Sequence, residues 1–393
     1  MFLFAALLLV QGSAPDTLTL DQALARARAV RGQVAAAAAR VAAARAAYRV
    51  AGTVPNPTVS YSHSEATPRQ HLLVDQPLDW LLKRGPDRAA ARHGIGLAQA
   101  DSSQTAANLE REVRVAFYTA RATAVAETLT VAQAALADSV AHIGAARLRA
   151  GDISLLEAEQ GRAEAARARQ SLSSVRENAR VAASDLARSV GADPTAPPVP
   201  LGPLDASLDH PPLRAIAIDR VPSVRTALAD SASSRALARS ASMGRIPLPT
   251  LQSGAEWEEP AEPNRTLAVI GLSLPFPLWQ HGSGAAAEAR ARALAAALAV
   301  REARLDAARR VETARIRLEE SGIRARFARD TLLPAARAVR SRALRAYQAG
   351  ETGILALLDA LRVEREVALA GVQDLLAYQT ALADWESLYG TAR

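Results

Sequence analysis

The chain has 393 residues, with 47 lysines and arginines against 40 acidic residues and no cysteine. The basic excess does not predict nucleic-acid binding, because the arginines alternate with Glu and Asp along long segments instead of clustering in one run. The lack of cysteine excludes disulfides, thiolate metal sites and a cysteine nucleophile.

The N-terminal residues are the first recognisable element. Residues 1–10 are largely apolar and are followed by the small residues Gly12, Ser13 and Ala14. This pattern predicts a signal peptide over residues 1–14, too short to span a bilayer. The basic residues that usually open a signal peptide are missing, so a buried hydrophobic end is the alternative. No other stretch of about 18 apolar residues occurs, so a membrane-crossing part would have to consist of strands.

The second half of the sequence repeats features of the first in the same order. The matching segments are 54–59 with 246–251, 76–80 with 274–279, and 149–152 with 348–351. Such ordered matches indicate a duplicated unit, with residues 15–192 as the first repeat and residues 213–393 as the second. Each repeat is predicted to contain a helix, two short strands and two very long helices. Residues 193–212, rich in proline, are predicted to form a linker or a small irregular domain.

The long helices are predicted from composition and spacing. From about Asp87 to Ala150 there is no proline, and alanine and arginine dominate, so a helix of roughly 90 Å is expected. The matching helix is predicted to begin near Ala285. Gly151 and Gly350 interrupt these runs, and glycine tolerates the positive φ of a tight reversal, so each repeat should end in a helical hairpin. Apolar residues at coiled-coil spacing suggest the packing seams; they are Leu129, Leu136, Val140 and Ile143 in the first repeat, and Leu294, Leu298 and Leu305 in the second.

Four extended segments are predicted at residues 58–67, 70–76, 250–259 and 266–274, rich in strand formers. In the last of these, Ala268, Ile270, Leu272 and Leu274 alternate with Val269, Gly271 and Ser273. Prolines are predicted to mark the junctions between helix and strand; they are Pro55, Pro57, Pro77, Pro86, Pro247, Pro249, Pro275 and Pro277. Two hairpins packed on a helical body are one possibility. If the strands instead cross a membrane, four are too few to close a barrel, which needs about eight, so several copies must combine.

These features together resemble the TolC family of outer-membrane efflux proteins, most closely its metal-efflux branch. Residues 18–24 are similar to the family's opening helix, and residues 76–78 with 83–85 to its exit from the first strand pair. Residues 332–336, 346–351, 354–355 and 358–360 resemble its most recognisable motif. The matching residues are spread over the whole mature chain.

The resemblance implies a mainly α-helical fold with a membrane β-barrel portion. It implies a trimer in which each chain contributes four strands to a twelve-stranded barrel in the outer membrane, while the long helical hairpins form an α-helical barrel that extends into the periplasm. It further implies a passive efflux channel, most similar to those of RND-type pumps, that works with a periplasmic adaptor protein and an inner-membrane pump. Neither enzymatic activity nor a cofactor is expected.

The resemblance also implies where function resides. Acidic residues on the second helix of each hairpin constrict the family's periplasmic entrance, and here Asp359 and Glu157 match those positions. Ala356 occupies a further acidic position, so a less charged constriction is expected. For Glu157, stabilisation of a helix start by its negative charge is the alternative. Adaptor contacts are predicted at the tips, at Gly151, Asp152, Gly350, Glu351 and Thr352.

Other functions receive less support from the sequence. The histidines show no metal-ligand spacing; only His63 and His71, predicted to face each other across the first strand pair, would suggest a weak metal site. A type I protein secretion channel, a periplasmic adaptor and a coiled-coil scaffold are the alternative functions. An adaptor should carry a single hairpin flanked by small β-rich domains, unlike the duplicated plan here. The cargo is left open between metal ions, drugs, solvents and polypeptides.

Overall fold

The computed structural model describes residues 16–66, 68–209, 211, 214–257 and 266–389. The predicted signal peptide, residues 1–14, lies outside this range, as do His210 and the connection at residues 258–265. The chain divides into two compact units. The first contains residues 1–32, 106–216 and 309–393, and the second contains residues 33–105 and 217–308. Each unit therefore combines segments from both halves of the sequence.

The order of elements follows the predicted plan in each half. The first half contains β1 (Thr17–Leu18), α1 (Leu20–Val30), α2 (Gly32–Val50), β2 (Thr58–His63), β3 (Gln70–Pro77), α3 (Trp80–Ala150), α4 (Leu155–Val190) and β4 (Val199–Pro200). The second contains a short 3-10 helix (Ile218–Arg220), α5 (Pro222–Met243), β5 (Thr250–Trp257), β6 (Leu267–Ser273), α6 (Ser283–Phe327), a π-helical turn (Ala328–Leu332), α7 (Leu333–Gln348) and α8 (Ile354–Ser387). The predicted succession of helix, two strands and two long helices is confirmed in both halves.

The start of α3 differs from the prediction. The helix begins at Trp80 instead of near Asp87, directly after Asp79, whose carboxylate lies 3.2 Å from Lys83 Nζ one turn later. Pro86 lies inside this helix, so the prediction that it marks a helix–strand junction is wrong. Pro86 is the seventh residue of α3, beyond the four whose N–H groups lack an intrahelical partner, so it removes one hydrogen bond from the second turn of the helix.

Alanine, more than leucine, fills the seams between the long helices. On α3 the buried residues include Ala122, Ala126, Ala134, Ala137 and Val140. The prediction of a leucine seam on α6 is wrong for a single chain, because Leu294, Leu298 and Leu305 are exposed. The buried positions of α6 are Ala286, Ala296, Val300, Ala307, Ala314 and Leu318. Small residues let helix backbones approach closely. A search for large apolar residues at heptad spacing does not detect such alanine seams.

Helices in the described residues do not combine the length and apolar character that crossing a bilayer requires.

The four longer strands form one antiparallel sheet in the order β2-β3-β5-β6, which leaves β2 and β6 at its edges. Because side chains alternate along a strand, this register sorts them onto two faces. We call one of these the apolar face; its apolar residues are Val59, Tyr61, Leu72, Val74, Leu251, Ala255, Trp257, Ala268, Ile270 and Leu272. His63, Gln70 and Gln76 lie at its two ends and Ser253 lies within it. The predicted alternation of residues 268–272 is confirmed.

We call the opposite face of the sheet the polar face, because it carries more polar and charged residues. It carries Ser60, Ser62, His71, Asp75, Gln252 and Glu256, together with Gly254, Gly271 and the apolar Leu73, Leu267 and Val269. His71 pairs with Ser62 across the strands, whereas His63 pairs with Gln70. The prediction that His63 and His71 face each other is therefore wrong, because a shift of one residue places them on opposite faces. His71 Nδ1 instead lies 3.1 Å from Glu256 Oε1.

The proline-rich segment after α4 is packed against helices of its own unit. β4 pairs in parallel with β1, and Leu204 and Leu208 are buried. The Gln379 side-chain amide on α8 donates to the backbone carbonyls of Leu204 and Ala206, at 2.8 and 2.9 Å. These hydrogen bonds satisfy backbone groups that an irregular segment would otherwise leave unpaired.

Candidate functional site

The two helical reversals share one backbone geometry. Gly151 and Gly350 have φ values of 81° and 76°. The N–H of the following residue reaches back across each turn, from Asp152 to the Arg147 carbonyl and from Glu351 to the Ala346 carbonyl, both at 2.9 Å. This is the Schellman arrangement of a helix end, which favours glycine at the left-handed position. The reversals predicted at these glycines are confirmed.

The side chains at the tips are open to solvent. Asp152, Glu351 and Thr352 are exposed, so the two turns present acidic and polar groups. Leu155 and Leu156 just after the first turn, and Leu355 just after the second, are also exposed. These three large apolar side chains find no cover within the single chain, and such clustered exposure is typical of a contact surface.

Glu157 takes part in capping α4. Its backbone N–H donates to Ser154 Oγ at 3.2 Å, and its carboxylate accepts from the Ser154 N–H at 3.1 Å. This reciprocal pair is a capping box, recognisable in the sequence as Ser154 followed three residues later by Glu157. Glu157 is half-buried, and its carboxylate lies close to Gly353 in the second reversal. Its carboxylate therefore caps the start of α4 next to the neighbouring turn.

Asp359 is exposed and lines a groove of about 400 Å³ between α7 and α8. The groove walls are mainly small or apolar; they are Val339, Ala343, Ala346, Ala356, Ala360 and Val363, with Arg342 and Thr352 at the polar positions. Within the described residues Asp359 forms no ion pair at 4.0 Å or less. Arg342 lines the same groove without an ion pair to Asp359 at 4.0 Å or less, whereas the carboxylate of Glu157 accepts the Ser154 N–H.

The two hairpins are joined near their tips by contacts that the sequence did not reveal. The Arg147 guanidinium lies over the ring of Tyr347, 4.9 Å from its centroid, and Nη1 donates to the Tyr347 carbonyl at 3.3 Å. Tyr347 is buried in a cluster with Val140, Ile354 and Leu357. These contacts connect α3, in the first half of the sequence, to α7 and α8, in the second half.

Ion pairs add a second set of connections. Arg365 on α8 lies 3.2 Å from Glu164 on α4, whose side chain is only 8% exposed. Arg340 on α7 lies 2.9 Å from Glu364 on α8. Burial makes the first pair difficult to replace, since a lone carboxylate at that position would lose water without gaining a partner. The acidic residues singled out from the sequence did not include Glu164, which falls in an ordinary charged stretch.

Within the described ranges, which include both tips, no group of three or more His, Asp or Glu residues is placed to hold a metal ion.

Comparisons with known proteins give a consistent result. Residues 213–391 match the family model described as outer membrane efflux protein. The cobalt-zinc-cadmium resistance protein CzcC of Cupriavidus metallidurans is 26% identical over 354 residues, covering 89% of this chain and 84% of that protein.

Solved structures extend the fold match to nearly the whole chain. The outer membrane protein VceC of Vibrio cholerae superimposes with a TM-score of 0.76 at 16% identity, covering 94% of this chain and 96% of that one. The open state of the outer membrane channel MtrE of Neisseria gonorrhoeae gives a TM-score of 0.76 at 17% identity, covering 94% and 88%. At 16% and 17% identity, these likenesses establish the fold alone.

Proposed function

We propose that the chain is an outer membrane efflux protein of the TolC family and serves as the outer-membrane channel subunit of a tripartite efflux system. In this role it conducts substrate from the periplasm to the exterior without changing it chemically. The observation that carries the proposal is the sheet, whose apolar face is exposed while its opposite face is largely polar. Ile270, midway along the edge strand β6 on the apolar face, is 83% exposed, an arrangement that lipid, not water, would favour.

The strands support a trimer. The edges β2 and β6 leave backbone groups unpaired, and such groups are costly in hydrocarbon. Four strands cannot close on themselves, whereas three chains would supply twelve, with β6 of one chain pairing with β2 of the next. The apolar face would then contact lipid and the polar face would line the lumen.

The long helices support the same assembly. The exposed large apolar residues of α6 recur at intervals of four, seven and eleven residues; they are Leu294, Leu298, Leu305, Ile316, Ile323 and Phe327. Such spacing keeps one stripe along a helix. In the proposed trimer this stripe packs against a neighbouring chain, which gives the leucines predicted from the sequence a partner outside their own chain.

The tips have two proposed roles. Exposed Leu156 and Leu355, with Gly151, Asp152, Gly350, Glu351 and Thr352, form the contact surface for a periplasmic adaptor protein, which links the channel to an inner-membrane pump. Asp359, repeated by three chains, supplies a ring of carboxylates at the entrance that attracts cations. Glu157 contributes to the entrance mainly by fixing the start of α4, since its carboxylate is engaged in the capping box.

For the cargo we propose divalent transition-metal ions. The relative in Cupriavidus metallidurans is a cobalt-zinc-cadmium resistance protein, and rings of carboxylates favour divalent cations over anions.

A complementation experiment tests this function. A strain that carries the cognate pump and adaptor but lacks its outer-membrane component should regain resistance to cobalt, zinc and cadmium when this chain is expressed. Leu156→Arg with Leu355→Arg should abolish the resistance while the trimer persists, because a charge at each tip opposes an apolar contact. Val181→Arg on α4, also at an exposed apolar position, serves as the matched control. Restored protein secretion without metal resistance would support the type I alternative instead.

A further inference from the structure

Aromatic residues lie at both ends of the sheet. Tyr61 and Trp257 lie on this face at the end of the sheet far from the helices. At the other end, Phe276 and Trp279 follow β6 and are 80% and 87% exposed. Aromatic rings with one apolar and one polar side favour the boundary between hydrocarbon and headgroups, where barrel proteins carry aromatic girdles.

The end near the helices also contains a cavity with an apolar wall and a cationic rim. It measures about 720 Å³ and lies between the β3–α3 junction, the α5–β5 connection and the segment after β6. Leu78, Leu248, Phe276 and Trp279 contribute apolar surface, and Lys83, Arg245 and His281 line it as well. We call the set Lys83, Arg84, Arg245, Phe276 and Trp279 the junction collar.

The charges of the junction collar are unevenly balanced. Asp79 is the only carboxylate among the residues that line the cavity, and Lys83 lies 3.2 Å from it. Arg84 and Arg245 are exposed, and within the described part of the chain neither guanidinium forms an ion pair at 4.0 Å or less. A net positive rim next to exposed aromatic rings is complementary to an anionic group attached to an apolar chain.

We infer that the junction collar binds the headgroups of anionic phospholipids at the periplasmic boundary of the membrane. The inference rests on the proposed function, which places the apolar face in lipid. Phe276 and Trp279 follow β6 at the helix end of the sheet, and both line the cavity. In the proposed channel, their rings lie at the level where the acyl chains meet the headgroups. Lys83 and Arg245 line the same cavity as these rings, and Arg84 is the next residue of α3 after Lys83. These cations attract the phosphate oxygens. Contact of the rings with a neighbouring chain is the competing arrangement, and the experiment separates the two.

The first measurement locates Trp279. The full-length protein is reconstituted in vesicles of equal parts phosphatidylethanolamine and phosphatidylglycerol, with bromine, a quencher of tryptophan fluorescence, on acyl carbons near the headgroup. Trp279→Phe should remove a large part of the quenched fluorescence, whereas Trp385→Phe should leave it unchanged, because Trp385 is buried among helices. Equal quenching of the wild type and the Trp279→Phe variant would overturn the inference and favour contact with protein.

The second measurement tests the headgroup. Brominated phosphatidylglycerol diluted in plain phosphatidylethanolamine should quench Trp279 about twofold more than brominated phosphatidylethanolamine at the same fraction in plain phosphatidylglycerol. The triple variant Lys83→Gln, Arg84→Gln, Arg245→Gln should lose this preference. Replacement of the exposed α6 residues Arg290, Arg301 and Arg317 by Gln should preserve it. Equal quenching by both lipids in the wild type, or a preference that survives the collar variant, would overturn the inference.

Conductance measured on the same vesicles tests the proposed channel function separately from lipid binding by the junction collar. Channels that conduct normally but show no lipid preference reject the junction collar alone. A preparation that forms no channels rejects the proposed function, and the junction collar with it.

Discussion

Asp359 has both the negative charge and the position that a carboxylate ring at the proposed entrance requires. Asp359 is exposed beside the α7–α8 groove and forms no ion pair at 4.0 Å or less within the described residues. We predict that Asp359→Ala weakens the block of single-channel current by divalent cations several-fold and raises conductance, because a ring of three charges is lost.

Planar-bilayer recordings check this prediction. Glu177→Ala, which removes an exposed carboxylate from α4, is the control and should leave the divalent block unchanged. If Asp359→Ala alters neither block nor conductance, Asp359 does not control the entrance.

Tyr378 should give the protein a distinctive response to alkaline pH. Its hydroxyl donates to the Ser207 carbonyl at 2.6 Å, and burial raises its pKa from 10.0 to about 12. Because the folded pKa lies above the unfolded one, the stabilisation from the neutral phenol is complete below pH 10 and is lost as the pH rises through about 12. An absorbance titration should show a phenolate step near pH 12 that Tyr378→Phe lacks. A step that persists in this variant would show that another tyrosine causes it.

Single residues were predictable from the sequence where chemistry is local. Gly151 and Gly350 could be placed in reversals because positive φ is a property of the residue itself. For Glu157, stabilisation of a helix start by charge was predicted from the sequence as an alternative, and the structure shows in addition a capping box with Ser154. The contact of Arg147 with Tyr347 joins residues from opposite halves of the chain, so no local pattern could indicate it. His63 and His71 were misplaced because one residue of strand register decides the face.

Between elements, the buried pair of Arg365 and Glu164 should hold α8 to α4. Arg365→Ala leaves the Glu164 carboxylate buried, with Arg167 at 3.8 Å as its remaining cation. We expect a loss of about 1.5–3 kcal/mol in the free energy of unfolding, as for other hydrogen bonds to charged groups. Denaturant titration of the protein in detergent measures this loss.

Two variants serve as controls for this pair. Arg162→Ala breaks the exposed pair with Glu159 and should cost less than about 1 kcal/mol. Adding Glu164→Gln to Arg365→Ala should recover part of the loss, because the stranded charge is removed. If Arg365→Ala is no more destabilising than Arg162→Ala, the pair does not stabilise the contact between these helices.

The elements themselves were largely predictable. Alanine-rich segments without proline become long helices, and the strand-forming segments become β2, β3, β5 and β6, within a few residues of the predicted ends. Pro86 was misassigned because α3 begins six residues before it, at Trp80, and continues through the proline despite the missing N–H. The packing seams were misassigned because alanine gives a weak pattern, whereas Leu294, Leu298 and Leu305 give a strong one and are exposed in a single chain.

At the scale of the whole molecule, the order of elements was predictable because it occurs twice in the sequence. The composition of the two compact units was not, since each is assembled from distant segments. The exposed apolar face, the unpaired edges β2 and β6 and the exposed α6 stripe all require partners that one chain does not supply. A trimer in a lipid bilayer would satisfy all three.

Native mass spectrometry of the mature protein tests this requirement most directly. Extracted from outer membranes in mild detergent, the protein should have the mass of three chains, and the same sample should conduct ions across a planar bilayer. A mature protein that is stable as a monomer in buffer without detergent, and does not insert into bilayers, would contradict the proposed channel.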